Sequence, residues 1–206
     1  MSDNSVVYRM GNSLYINLTN RCNCDCLFCE RGFSEKVGDS DSLWLKTEPT
    51  VEQVCSGIFE RLIPEITEIV FCGFGEPTIR FDDILAICAA IKARSDIPVR
   101  LNTNGLACLE HDRDVTPELE GLVDAVSVSL NAPGAVEYAE ISRPRFGAVA
   151  FDAVRNFAVN AKKYVPRVTF TIVDTLPEEQ TERCRRLAEN NGVPLRIRSL
   201  ITNDPA

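Results

Sequence analysis

Four cysteines lie within a few positions of one another near the start of the chain, directly after a short apolar run: Cys22, Cys24, Cys26 and Cys29. Thiolates are ligands of zinc and of iron-sulfur clusters. The 206-residue chain has nine cysteines and shows no signal-peptide pattern. Clustered cysteines in such a chain favour a metal site or catalysis over disulfides, because cytosolic thiols are kept reduced.

Zinc and an iron-sulfur cluster need different ligand patterns. A structural zinc site is usually closed by two ligand pairs, but only Cys26 and Cys29 form a CxxC, and the single histidine is the distant His111. A 4Fe-4S cluster is wide enough for a short loop to place thiolates on separate irons. The spacing Cys22-x3-Cys26-x2-Cys29 does this with three ligands and leaves one iron open. The pattern favours the cluster, and zinc stays an alternative.

The elements that position these cysteines alternate between strand and helix. Six runs of β-forming residues predict strands: 14–19, 68–73, 98–103, 125–130, 167–173 and 194–201. Helical patterns lie between them, one starting after Thr50 with Gln53 completing a capping box, and others expected to be capped by Asp82 or Asp83 and by Thr116. Strict alternation predicts a parallel sheet, either doubly wound or part of a (β/α) barrel.

The length favours one domain over residues 1–206. Residues 1–13 are expected to be an N-terminal extension. Residues 32–47, which carry Trp44, form a long connection that is either a lid over the site or a surface loop pinned by one aromatic side chain.

Charge and hydropathy exclude several partners. The chain has 22 Lys and Arg against 30 Asp and Glu, a net charge of −8, which disfavours nucleic acid. No apolar run approaches the roughly 18 residues of a membrane span. We therefore expect a soluble, cytoplasmic protein that binds neither nucleic acid nor membrane.

Polar residues collect where the predicted strands end. The sequence Gly73-Phe74-Gly75-Glu76-Pro77 follows the second strand, and Asn102-Thr103-Asn104-Gly105 ends the third. Ser127, Ser129 and Asn131 share one face of the fourth strand and its end by alternation. In parallel α/β folds this edge of the sheet carries the active site, so these groups predict ligand contacts.

The CxxxCxxC spacing after a strand resembles the signature of the radical S-adenosylmethionine (SAM) superfamily, and Phe28 supplies the aromatic residue before its third cysteine. By this resemblance the cluster ligands are Cys22, Cys26 and Cys29, and Cys24 is a bystander. The GFGEP sequence is similar to the loop whose backbone holds the ammonium group of SAM in that family, with Phe74 in place of the second glycine.

The resemblance implies a set of SAM contacts along the strand ends: Phe28, Gly73, Phe74, Gly75, Glu76, Asn102, Asn104, Ser127, Ser129 and Asn131. Arg143 and Arg145 follow in the sequence ISRPRFG. A guanidinium group binds a carboxylate in a bidentate manner, so either arginine is a candidate for anchoring SAM or an acidic substrate.

One branch of the superfamily matches over residues 14 to about 201. LYINLTNRC, LWL, FCGFGEP, NTNG, SVSLNAP and RPRFG look like the TatD-associated radical SAM proteins. The resemblance implies a partial (β/α)6 barrel that uses a 4Fe-4S cluster and SAM, with electrons from a donor such as flavodoxin or ferredoxin. It also implies reductive cleavage of SAM to a 5′-deoxyadenosyl radical that abstracts hydrogen from a substrate. A functional link to a TatD-like nuclease comes with the resemblance alone.

Three functions stay open at this point. The leading one is a radical SAM enzyme, of undetermined reaction class, acting on a small molecule. The second is an activating enzyme acting on a protein substrate, for which an open rim without a lid is expected. The third is a non-enzymatic iron-sulfur or zinc protein. The sequence identifies neither substrate and product, nor the fate of SAM, nor the oligomeric state, nor roles for Cys24 and Cys108.

The cysteine assignment predicts a contrast between variants. Cys22→Ala, Cys26→Ala and Cys29→Ala should each abolish SAM cleavage, because each removes a ligand, whereas Cys24→Ala should retain a 4Fe-4S cluster. Iron and sulfide content and visible absorption after anaerobic reconstitution measure this. Loss of the cluster in the Cys24 variant would mean that the ligand assignment is wrong.

Overall fold

The computed structural model describes residues 5–200 as a seven-stranded sheet with its strands in sequence order. The strands are β1 (Val7–Met10), β2 (Ser13–Ile16), β3 (Glu68–Phe71), β4 (Val99–Thr103), β5 (Ala125–Ser129), β6 (Arg167–Val173) and β7 (Leu195–Arg198). The helices are α1 (Val51–Arg61), α2 (Phe81–Lys92), α3 (Ala107–Glu110), α4 (Ala135–Ser142), α5 (Ala150–Ala161) and α6 (Glu178–Asn190).

All pairs from β2 to β7 are parallel, and only β1 pairs antiparallel, with β2. The six predicted parallel strands are thus confirmed as β2 to β7, although residue 201 lies outside the described residues. The sheet is open, with β1 and β7 as its edges in the described part of the chain, which confirms the partial (β/α) barrel class.

The strand β1 differs from the expectation for residues 1–13. Residues 1–4 lie outside the described part, but Val7–Met10 pairs with β2 through a tight turn at Gly11 and Asn12. Gly11 has a φ of 58°, which glycine adopts without a steric penalty. A Gly-Asn pair between two β-forming runs is a hairpin signal, so the sequence contained evidence for this strand.

Two predicted helix starts also differ from the structure. Asp82 and Asp83 lie in the first turn of α2 and do not cap it, because a 3-10 turn over Pro77–Arg80 leads directly into the helix. Thr116 opens only a 3-10 turn, and its backbone N–H donates to the carboxylate of Asp114 at 3.0 Å. Local capping residues predicted that a turn starts here, but not that it stops after one turn.

Alternation along the strands divides the sheet into a core face and a cleft face. Phe170 and Ile172 of β6 are fully buried in the core, and α5 packs against β5 and β6 with Val154 and Phe157. Thr171, between the two apolar residues, faces the opposite side and lines a cleft. The period of two residues therefore places the polar residues of the strands on one surface.

Within residues 5–200, none of the helices has the length and apolar character needed to cross a membrane.

The predicted capping box at α1 is confirmed. The Gln53 N–H donates to the Thr50 hydroxyl at 3.3 Å, and the Thr50 N–H donates to the Gln53 side chain at 2.8 Å. Thr50→Ala removes one of these bonds and should lower the free energy of unfolding by about 1 kcal/mol in urea denaturation. Ser56→Ala, in the middle of the same helix, is the control and should change it by less than about 0.5 kcal/mol. Equal losses would contradict a special role for the cap.

Candidate active site

An open cleft with a cavity volume of about 210 Å³ lies at the carboxyl ends of the parallel strands. Every predicted cluster cysteine and every predicted SAM contact lines it: Cys22, Cys26, Cys29, Phe28, Gly73, Phe74, Gly75, Glu76, Asn102, Asn104, Ser127, Ser129 and Asn131. The strands bring these distant segments together because their carboxyl ends meet at one edge of the sheet.

The two arginines predicted to bind a carboxylate do not line the cleft. Arg143 lies 3.8 Å from Asp25, and the guanidinium of Arg145 donates to Glu110 at 2.8 Å. Both side chains are more than half exposed. Arg143 ends α4 in the left-handed conformation, with a φ of 44°.

The cysteine loop is held by backbone hydrogen bonds to the end of α4. The N–H of Asp25 donates to Ser142 at 3.1 Å, and the N–H of Leu27 donates to Ile141 at 2.9 Å. Arg145 N–H donates back to Asn23 at 2.9 Å. Because α4 follows β5, these bonds attach the loop to the same edge of the sheet that carries the polar strand ends.

Cys24 is set apart from its neighbours by burial. Its sulfur lies 4.0 Å from the Tyr138 hydroxyl and accepts from the Asn104 side-chain amide at 3.6 Å. A hydrogen bond between the two thiols raises the pKa of Cys24 and lowers that of Cys26. The thiol of Cys26 also lies 3.7 Å from the Ser142 carbonyl oxygen. Cys24 is therefore the thiol in this loop that packs against protein side chains.

The donor set fits an iron-sulfur cluster. Within residues 5–200, no three Cys, His, Asp or Glu side chains converge on one metal-ion position. A 4Fe-4S cluster does not need such convergence, since its thiolate ligands bind separate irons. Cys22 is exposed, Cys26 and Cys29 are half-buried and Cys24 is buried, and all four of these cysteines line the cleft.

The GFGEP loop packs directly against the chain that leads into the cysteines. A Cβ at Gly75 would collide with the backbone carbonyls of Thr19 and Arg21, and one at Gly73 would collide with the Asn17 side chain. Glu76 N–H donates to the Arg21 carbonyl at 2.8 Å. Position 75 must therefore be glycine, because a Cβ would collide with the protein's own backbone. The family resemblance had related this glycine only to SAM binding.

The buried carboxylate of Glu76 joins the second and third strand ends. Its Oε1 accepts from the Thr78 N–H at 3.1 Å, the Thr78 hydroxyl at 2.6 Å and the Thr103 hydroxyl at 2.7 Å, and its Oε2 accepts from the Asn104 N–H at 2.8 Å. Burial raises the pKa of Glu76, and these hydrogen bonds oppose the shift. The side chain therefore has a structural role in shaping the cleft, in addition to lining it.

Asn131 lines the cleft and has a buried, unpaired side-chain oxygen. The residue is 4% exposed, and its backbone is left-handed, with a φ of 61°. Its amide nitrogen lies 3.4 Å from the Ser142 hydroxyl, whereas its Oδ1 has no hydrogen-bond partner among the described residues. An unsatisfied buried acceptor costs free energy, so this oxygen is suited to a ligand donor such as a hydroxyl or an ammonium.

The segment 32–47 does not cover the cleft, and none of its residues lines it. The Asn17 side-chain amide donates to the Leu43 carbonyl at 2.7 Å, and that of Asn20 donates to the Leu45 carbonyl at 2.8 Å. Trp44 contacts Phe74 edge to face, with ring centroids 5.2 Å apart. The geometry is that of a surface loop pinned by its aromatic residue.

Several residues that line the cleft are not among the predicted cluster ligands or SAM contacts: Cys24, Glu30, Cys72, Thr171, Val173, Arg196 and Arg198. The two arginines carried a usable signal, because they alternate with Ile197 at the period of a strand. Their position in the cleft depends on the pairing of β7 with β6, which the local sequence does not predict.

Residues 16–190 match the model of the Radical SAM superfamily. The chain belongs to this superfamily. Membership makes it an enzyme whose cofactors are SAM and a 4Fe-4S cluster, and the alternative of a non-enzymatic metal protein is not supported. The superfamily match accounts for the cysteine loop and the cleft within a single stretch of the chain.

Curated relatives are similar over part of the chain. It is 30% identical over 142 residues to a GTP 3′,8-cyclase of Corynebacterium glutamicum, which covers 66% of this chain and 35% of that protein. It is 32% identical over 136 residues to a probable GTP 3′,8-cyclase of Methanosarcina mazei, covering 63% and 36%. The chain thus spans about a third of the length of these relatives.

Solved structures share the fold at low sequence identity. Streptococcus suis SuiB bound to S-adenosylmethionine superposes with a TM-score of 0.69 at 15% identity, over 93% of this chain and 41% of that one. Methylornithine synthase (PylB) gives a TM-score of 0.63 at 14% identity, over 92% and 53%. These likenesses show the architecture of a radical SAM domain.

The Glu76 network predicts a measurable stability effect. In Glu76→Gln an NH₂ group must replace one carboxylate oxygen, so a donor faces a donor at Thr78, Thr103 or Asn104. We expect the free energy of unfolding to fall by about 1–3 kcal/mol in urea denaturation. Glu65→Gln, on an exposed turn, is the matched control and should change it by less than about 0.5 kcal/mol. A neutral Glu76→Gln substitution would contradict the network.

Proposed function

We propose that the chain holds a 4Fe-4S cluster through Cys22, Cys26 and Cys29, binds SAM beside it, and abstracts hydrogen from a small-molecule substrate in the same cleft. One observation carries the proposal. Thirteen residues assigned from sequence, the three cysteines and the ten SAM contacts listed above, line one cleft although they come from the cysteine loop and several separate strand ends.

When bound, the cluster and SAM would supply the difficult chemistry, which is one-electron reduction of SAM and radical abstraction of hydrogen from the substrate. The protein's task is to bind and orient. The unpaired Oδ1 of Asn131 accepts a hydrogen bond from SAM, and the hydroxyls of Ser127 and Ser129 offer further contacts from β5. The GFGEP backbone holds the ammonium group in this proposal.

Cys24 has a different task in this proposal. Its buried sulfur contacts Tyr138 and the amide of Asn104, which in turn donates to Asn23 at 2.5 Å. These contacts fix the cysteine loop against the third strand end. They support its assignment as a bystander to the cluster.

We propose further that the chain belongs to the TatD-associated branch, on the motifs from LYINLTNRC to RPRFG. A functional link to a TatD-like nuclease and electron transfer from flavodoxin or ferredoxin come with this proposal. The curated relatives support a small-molecule substrate, because the GTP 3′,8-cyclases are named for a nucleotide.

A protein substrate is the second candidate, and one observation favours it. The rim of the cleft is open, and none of residues 32–47 lines it. An open rim gives a polypeptide segment access. The discriminating result is tight, saturable binding of a folded protein partner in place of turnover of a small molecule.

The proposal predicts SAM cleavage by the reconstituted protein. After anaerobic cluster reconstitution, SAM and dithionite should give 5′-deoxyadenosine and methionine, quantified by liquid chromatography. Cys26→Ala should reduce product to the level of a reaction without protein, because it lacks a cluster ligand. Cys184→Ala, which changes a buried cysteine of α6 outside the cleft, is the matched control and should retain the activity.

Failure of the intact protein to produce 5′-deoxyadenosine, with the cluster present and SAM bound, would sink the proposed reaction. Equal amounts of 5′-deoxyadenosine from the wild type and the Cys26→Ala variant would contradict the assignment of Cys26 as a cluster ligand. Both results are read from the same assay, with iron content determined for each sample.

A further inference from the structure

The last strand carries two arginines on the cleft face. Arg196 and Arg198 alternate with Ile197 along β7, and both line the cleft. In the parallel register they lie beside Thr171 and Val173 of β6, which also line it. The sheet therefore presents two guanidinium groups at the end of the cleft that lies across β6 from the predicted SAM contacts on β5.

These two charges lack ion-pair partners, in contrast to a third arginine nearby. Arg100 on β4 donates to Glu68 at 2.8 Å and to the Asn102 side chain at 3.0 Å. Within residues 5–200, neither Arg196 nor Arg198 has a carboxylate within 4.0 Å. The Nε of Arg198 is also buried without a hydrogen-bond partner.

Acidic groups facing the cluster of arginines do not neutralise it. Glu68 is already paired with Arg100. Glu30 also lines the cleft, but among residues 5–200 it forms no ion pair with Arg198. The third carboxylate, that of Glu76, also lines the cleft but accepts its hydrogen bonds from the second and third strand ends.

The arginines also repel one another. Burial, and then the charges of Arg100 and Arg198, lower the pKa of Arg196. Like charges held together at a partly buried site are unfavourable unless an anion binds between them. The excess is local, because the chain as a whole carries a net charge of −8. A cationic pocket in an acidic protein concentrates anions at one place.

We propose that Arg196 and Arg198 bind an oxyanion group of the substrate, a phosphate or a carboxylate, and so select anionic substrates. The proposal rests on the proposed function, because it places the substrate in the cleft assigned to SAM and the cluster. Planar guanidinium groups bind either oxyanion through paired N–H donors. The paired site fixes one end of the substrate while the remainder extends toward the cysteine loop.

Titration calorimetry of the reconstituted protein with SAM present tests this, with inorganic pyrophosphate and malonate as separate probes. At least one probe should bind the wild type saturably. Arg196→Gln and Arg198→Gln should each raise its Kd about tenfold or more, which corresponds to about 1.4 kcal/mol. Arg185→Gln, on the exposed face of α6, makes the same change in charge and should leave the Kd unchanged. The probe that binds more tightly identifies the oxyanion class.

Conservative variants separate binding from folding. Arg196→Lys and Arg198→Lys keep the charge but lose the bidentate geometry, so they should bind the probe better than the Gln variants while unfolding at the same temperature. No saturable binding of either probe to the wild type would overturn the proposal. Equal binding by wild type and both Gln variants would overturn it as well.

Two further measurements assign the site to the substrate. SAM affinity should be unchanged in the Gln variants, and a tenfold loss of SAM affinity would overturn the proposal by assigning the arginines to the SAM carboxylate. Formation of 5′-deoxyadenosine is measured in the same samples. Arginine-dependent probe binding without any 5′-deoxyadenosine from the wild type would support the anion site and reject the proposed reaction.

Discussion

The contact between the GFGEP loop and the chain entering the cysteine loop is the constraint on which the rest of the cleft depends. Gly75 lies against the backbone carbonyls of Thr19 and Arg21, with no room for a side chain, and the Glu76 N–H donates to the second of them. The Glu76 carboxylate then holds the N–H of Asn104. The Glu76 side chain and the close backbone contact at Gly75 therefore join the ends of β2, β3 and β4.

This arrangement gives the buried charge of Glu76 a structural purpose. Four N–H and O–H donors surround one carboxylate, so the free energy lost by desolvation is offset by charge-assisted hydrogen bonds. The loops that carry the predicted SAM contacts are fixed by the protein itself. A preorganised site of this kind loses less entropy when its cofactors bind.

One face of the sheet forms the hydrophobic core, and the opposite face lines the cleft. Apolar side chains such as Phe170 and Ile172 pack under the helices, while their neighbour Thr171 faces the cleft. The cleft itself is polarised along the sheet. The cysteines, the polar strand ends and the Glu76 carboxylate occupy one part, and the arginines of β7 occupy the other, across β6.

The sequence by itself determined the elements and the sets of residues, because alternation, capping and cysteine spacing are local properties. It predicted the strands β2 to β7, the capping box at Thr50 and the residues that line the cleft around Cys22 to Cys29. The β1 hairpin was missed despite its Gly11-Asn12 signal.

Only the tertiary structure decided which charges meet. Arg143 and Arg145 have the residue type expected for an anion site but lie outside the cleft, beside Asp25 and Glu110, whereas Arg196 and Arg198 line it because β7 pairs in parallel with β6. It also decided that Gly75 is needed against the protein's own backbone. These outcomes depend on contacts between segments far apart in the chain, and no local pattern encodes such distances.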